Sequence, residues 1–167
     1  MSLLALILGS PLSLGAARPA PPCRMAQLRL SLDGRHGDFN GMSHSGTEIS
    51  IRNMGPDCML PALPNIELRD ARGRTLAIGR KASLGIHPGP VMAAVRVRGG
   101  HRAATALRWV SAPVYPSSRA ARAANLTVRL GTATLRAPLV AVLYGPAGKP
   151  ITFDQAPLHA MEGMAGG

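Results

Sequence analysis

The sequence predicts an all-β domain, an antiparallel β-sandwich of seven to nine short strands. Three observations lead there. Apolar and polar residues alternate in repeated short runs; glycine and proline, 19 and 15 of 167 residues, supply the turns between them; and no long stretch carries helical periodicity. Alternation with a period of two gives each run one face for a core and one for solvent, so many such runs must stack as sheets.

The elements follow in order. Leu28, Leu30 and Leu32 alternate with Arg29 and Ser31, and Thr47, Ile49 and Ile51 alternate with Glu48, Ser50 and Arg52. Cys58 falls in a turn after this second strand. Ile66 and Leu68 run into Asp70-Ala-Arg-Gly73, a turn from which Thr75 to Ile78 returns antiparallel as a hairpin. Val91, Ala93, Val95 and Val97 form a fourth signal, and Thr105, Leu107 and Trp109 a fifth. Ser117 to Ala124, rich in Ala and Arg, predicts one short connecting helix. Leu126, Val128 and Leu130 then meet Gly131-Thr132, and Leu139 to Leu143 is a last apolar run. Trp109 follows both cysteines, whereas the tryptophan of antibody domains lies between them, so it reads as an aromatic filling one core layer.

The length suits one domain. Residues 1–22 read as a signal peptide and short Pro-rich leader: the run Met1-Ser-Leu-Leu-Ala-Leu-Ile-Leu-Gly9 is too short to span a bilayer, and Gly15, Ala16 and Ala17 offer a cleavage site. Residues 23–155 form the β domain, and residues 156–167 a disordered tail with nothing to pack. Export to the periplasm or beyond implies an oxidising compartment, where the only two cysteines, Cys23 and Cys58, pair as one structural disulfide. No stable membrane span is expected.

The net charge of +11 raises nucleic acid as a partner. Its distribution argues against that reading, because arginines recur singly along the chain and aromatic rings for stacking bases are few: Trp109, Tyr115, Tyr144, Phe39 and Phe153. A basic exported protein is instead drawn to anionic envelope surfaces.

The segment Phe39-Asn-Gly-Met-Ser-His-Ser-Gly46 gathers a thioether, an imidazole and two hydroxyls between glycines, and Asn40, Gly41, Met42, Ser43, His44 and Ser45 form the candidate binding loop. Hydrolysis is a weak alternative: adjacent Ser43, His44 and Ser45 alternate in direction when extended, and no nucleophile elbow is present. Copper is a better one, since Met42 and His44, with His159, Met161 and Met164, place soft thioethers beside imidazoles. Zinc lacks regularly spaced histidines. Gly145-Pro-Ala-Gly148-Lys149-Pro150 lacks the hydroxyl residue of a phosphate-binding loop and reads as a turn. Asn125-Leu-Thr127 matches a glycosylation sequon inside an expected strand. Asp33, Asp38 and Asp57 lie beside Gly or Pro and Asp70 opens the turn Asp70-Ala-Arg-Gly73, positions where they favour turns, so no catalytic acid–base pair stands out and no cofactor is expected.

Set in order, Cys23-Arg-Met-Ala-Gln-Leu-Arg-Leu-Ser-Leu32, Ile49-Ser-Ile-Arg-Asn53, Cys58 and Leu63-Pro-Asn-Ile-Glu-Leu68 resemble a family of uncharacterised exported bacterial domains. The resemblance runs from Cys23 to Asp154, with Asp70 to Thr75 and Ala106 to Val110 fitting it too. It implies an antiparallel immunoglobulin-like β-sandwich, a Cys23–Cys58 disulfide and no assigned enzymatic activity. Relatives often carry a second cysteine pair where this chain has Tyr115 to Arg122 and Leu143 to Pro146, so its C-terminal half lacks that staple. The expected function is that of a non-enzymatic exported module that binds an envelope protein or glycan.

Overall fold

A computed structural model describes residues 19–81 and 92–161; the expected signal peptide (apart from its last residues), Val91 and Met164 lie outside them. More than half of the described residues are in strands, none is in an α-helix, and all strand pairings but one are antiparallel. Eleven strands occur among them: β1 (Leu28–Asp33), β2 (His44–Asn53), β3 (Cys58–Leu60), β4 (Asn65–Arg69), β5 (Ile78–Arg80), β6 (Val95–Val97), β7 (Arg102–Val110), β8 (Ser118–Leu130), β9 (Ala133–Pro146), β10 (Ile151–Gln155) and β11 (His159–Met161).

They form a six-stranded sheet in the order β1-β2-β7-β10-β5 with β11 also on β7, a three-stranded sheet β4-β8-β9, and the pair β3-β6. The alternation that predicted strands also sets their faces: Ile49, Ile51, Leu107 and Phe153 from the first sheet and Leu68, Leu126, Val128 and Leu143 from the second are buried in one hydrophobic cluster. Burying each such side chain contributes about 1.5–3 kcal/mol. Trp109, 5% exposed, fills a layer of this core as its spacing predicted.

Cys23 and Cys58 are bonded, with Cα atoms 4.8 Å apart. The segment before β1 is thereby tied to β3, and Cys58 opens that strand instead of lying in a turn. Such a bond points to an oxidising, non-cytoplasmic environment. No helix among the described residues is long and apolar enough to cross a membrane.

Several expectations are corrected. The predicted helix at 117–124 is the first half of β8, because Ser118 to Ala123 pair residue by residue with Pro146 to Ala141 of β9, and a full ladder outweighs the helical preference of Ala and Arg. Thr75 makes one bridge to Arg69, but Ile78–Arg80 leaves that hairpin and pairs parallel with Ile151–Phe153. The fourth signal shortens to Val95–Val97. The tail is ordered through Met161: Leu158 is buried, its N–H donates to the Ala62 carbonyl at 2.7 Å, and His159–Met161 pairs with Ala104–Arg102.

Candidate functional site

Strand β7 defines the two ends of the molecule. Val110 at its C-terminal end pairs with His44, and Arg102 at its other end pairs with Arg52 and Met161. The eight residue steps between them span about 27 Å at ~3.4 Å per residue. The candidate loop occupies the first of these poles.

Between β1 and β2 the chain is organised by local hydrogen bonds. Asp33 accepts from the Arg35 N–H at 2.7 Å, and Asn40 donates its N–H to Gly37 at 2.7 Å. Gly41 and His44 then exchange both backbone hydrogen bonds, at 3.1 and 2.9 Å, with Met42 at φ 47° and Ser43 at φ 65° between them. Positive φ at both central positions is the requirement of the mirror-image hairpin turn whose twist matches the strands, a place where Asn-Gly is usual. Met42 and Ser43 hold it at a cost of about 1–2 kcal/mol each, and Met42 is left 94% exposed at the tip. Ser45 donates its hydroxyl to Asn40 at 2.8 Å, and the Ser43 carbonyl accepts from Ser111 at 2.8 Å, which ties the loop to the end of β7.

His44 Nδ1 lies 2.9 Å from the Met42 carbonyl oxygen. A carbonyl only accepts, so Nδ1 carries the hydrogen and the neutral ring leaves Nε2 with its lone pair. Among the described residues no carboxylate hydrogen-bonds His44 and neither Ser43 nor Ser45 donates to it, so within them these three side chains do not assemble a nucleophile, base and orienting acid.

Beside the loop lies a concavity of about 210 Å³ lined by His44, Trp109, Tyr115, Tyr144, Lys81 and Asp154, with Pro146 and Pro150 at its rim. Its walls come from the start of β2, the ends of β7 and β9, and strand β10. Tyr115 is fixed locally: its N–H donates to Ser118 Oγ at 3.1 Å, and that hydroxyl donates back to the Tyr115 carbonyl at 3.2 Å. The chain has one Trp and two Tyr, and all three meet here. Nothing local in the sequence groups these rings, because positions 44, 109, 115 and 144 become neighbours only through the strand pairings. Their scarcity was the one available signal.

The copper ligand set is not brought together. His159 pairs with Ala104 and Met161 with Arg102, six and eight steps along β7 from Val110, so they stand about 20 Å or more from Met42 and His44. The described residues contain no group of three or more His, Cys, Asp or Glu placed to hold a metal ion. The two hydroxyl and amide positions Thr127 and Asn125 lie in β8, with Thr127 buried, as the strand reading of the sequon expected. No family model, curated protein or solved structure matches the chain.

Proposed function

We propose that this protein is an exported, non-enzymatic binding module of the cell envelope, periplasmic or secreted, with an immunoglobulin-like β-sandwich architecture. The order β1-β2-β7 in one sheet and β4-β8-β9 in the other supports that architecture, since it repeats the A-B-E and C-F-G neighbours of immunoglobulin domains. The resemblance of Cys23 to Asp154 to exported bacterial domains, and the disulfide, support the compartment.

The observation that carries the binding role is that Tyr115 and Tyr144, over the buried Trp109, line a concavity at the same pole as the exposed Met42 of the hairpin tip. Tyr, Trp and Met are the residue types enriched at interface centres, and exposed Val114, 52% accessible, widens the apolar patch. The partner is an envelope protein or glycan. A photo-crosslinking residue placed at Met42 should trap it in intact cells, and Tyr115→Ala with Tyr144→Ala should abolish the adduct. The same probe at Val140, 91% exposed on β9, is the control. An equal adduct from Val140, or one indifferent to the tyrosines, overturns the assignment.

A second reading keeps copper at a smaller site. Met42 and His44 share one hairpin turn two residues apart, and the bond that engages Nδ1 leaves Nε2 as the ligand nitrogen. Cu(I) titration should then show one site lost in both Met42→Leu and His44→Ala; identical uptake in all three proteins excludes it.

A further inference from the structure

The opposite pole concentrates positive charge beyond what local hydrogen bonds employ: the Arg29 guanidinium donates to the Ala26 and Leu28 carbonyls at 3.0 and 2.9 Å, yet no carboxylate among the described residues neutralises the row it belongs to. Arg29, Arg52 and Arg102 occupy one register row across β1, β2 and β7. Directly opposed residues share a face, so the three side chains leave the outer face of the sheet on backbones ~4.8 Å apart. All three are exposed, and none forms an ion pair with a carboxylate among the described residues. Like charges placed directly opposite destabilise a sheet, so the row works against the fold that displays it.

Beside the row, Arg98-Gly-Gly-His101 connects β6 to β7, and the connection is fixed from every side. Gly100 donates its N–H to the Asn53 carbonyl at 2.8 Å, Asn53 donates to the His101 carbonyl at 2.9 Å, and His101 donates to Arg98 at 3.1 Å. Asp57 accepts from the Gly99 N–H at 3.0 Å and, with its other oxygen, from Arg96 at 2.8 Å. A Cβ at Gly99 would fall 2.6 Å from the Gly55 carbonyl oxygen, and Gly100 sits at φ 78°, so this path needs both glycines. The result is a concavity of about 460 Å³ lined by Arg96, Arg98, His101 and Arg102 and closed by Ala160 and Met161 of β11. Asp57 braces one wall with both its oxygens engaged, and the lining offers no Phe, Tyr or Trp on which a base could stack.

We propose that this concavity and the adjoining arginine row bind phosphate groups. Guanidinium forks gathered on one pole suit the tetrahedral oxygens of a phosphate ester, which accept paired hydrogen bonds and carry the charge that relieves the row's repulsion. The braced connection fixes the backbone that carries Arg98 and His101 before the ligand arrives, which lowers the ordering cost of binding. The phosphates come either from a soluble ester or from lipid headgroups.

Inorganic tripolyphosphate is the soluble probe, and phosphatidylglycerol vesicles against phosphatidylcholine vesicles are the lipid probe, both used with the full chain. The Arg52→Gln, Arg102→Gln double variant should weaken tripolyphosphate binding at least tenfold while melting at or above the parent temperature. Arg119→Gln with Arg122→Gln, which removes the same charge from β8, should change binding less than twofold. Vesicle binding that tripolyphosphate displaces assigns the lipid source; tripolyphosphate binding without vesicle binding assigns the soluble one. Equal loss in the two double variants, vesicle binding that ignores both the probe and the variants, tighter binding of a single-stranded oligonucleotide than of tripolyphosphate, or no binding at all overturns the proposal.

Discussion

Asn53 shows how one buried polar side chain holds several segments in register. It is fully buried, and its amide is saturated: Nδ2 donates to the Pro56 and Val97 carbonyls at 2.7 and 3.0 Å, while Oδ1 accepts from the Gly55 N–H and from Gln27 Nε2, each at 2.9 Å. Asn53→Ala would strand several of these partners at once and should cost about 3 kcal/mol, read by urea denaturation; a loss within experimental error of zero contradicts that account. Thr127 in β8 is the opposite case, a buried hydroxyl with no hydrogen-bond partner among the described residues. Thr127→Val keeps the shape and removes the unpaired group, and should stabilise the protein by roughly 1 kcal/mol. A destabilised variant would mean that the hydroxyl is bonded in solution.

At the scale of elements, the two connections that define the poles are set by different chemistry. The Gly41 to His44 turn closes with two non-glycine residues at positive φ. Replacing Met42 and Ser43 by Asn and Gly supplies the residues that turn prefers and should raise stability by about 1–2 kcal/mol; an unchanged melting temperature argues against the turn geometry. The Arg98 to His101 connection depends instead on a carboxylate. The Gly99 N–H and then the Arg96 guanidinium hold Asp57 below the ordinary carboxylate range, Arg74 does the same for Asp70, and at Glu67 burial pushes upward but Arg129 and Arg69 outweigh it. Because the folded values are lowered, the stability they contribute is complete above the unfolded range near ~4 and is lost as pH falls through it toward the folded values. The Gly99 amide resonance should therefore titrate with an inflection below ~4; an inflection above it would mean that Asp57 is not held in this way. Much of the element pattern was legible: Leu28, Ile49, Ile51, Leu126 and Val128 announce buried faces by alternation alone. The start of β8 was not, because Arg119 to Ala123 favour a helix in isolation and become a strand only against Gly145 to Ala141. The pairing of Ile78 with Ile151 is likewise invisible locally, being parallel and far apart in sequence. The hairpin tip could be picked out by composition, whereas Tyr115 and Tyr144 gain meaning only once β7, β8 and β9 are placed.

For the whole molecule, the Cys23–Cys58 bond closes a loop of sequence separation 35, a constraint worth about 4 kcal/mol in the chain-entropy account. Reduction, or Cys23→Ala with Cys58→Ala, should lower the melting temperature by about 10 °C, measured by circular dichroism; an equal midpoint in oxidised and reduced protein would show that the bond adds nothing. Strand β7 imposes a further order on assembly. One of its edges is taken by β2, but the other waits for Phe153–Gln155 and then His159–Met161, the last described residues in the chain. In vectorial synthesis the central strand therefore stays half-paired until those residues emerge, with an open ladder available to any neighbouring chain. Truncation before Ile151 would leave that ladder permanently exposed, so the short C-terminal segment acts as the molecule's guard against self-association.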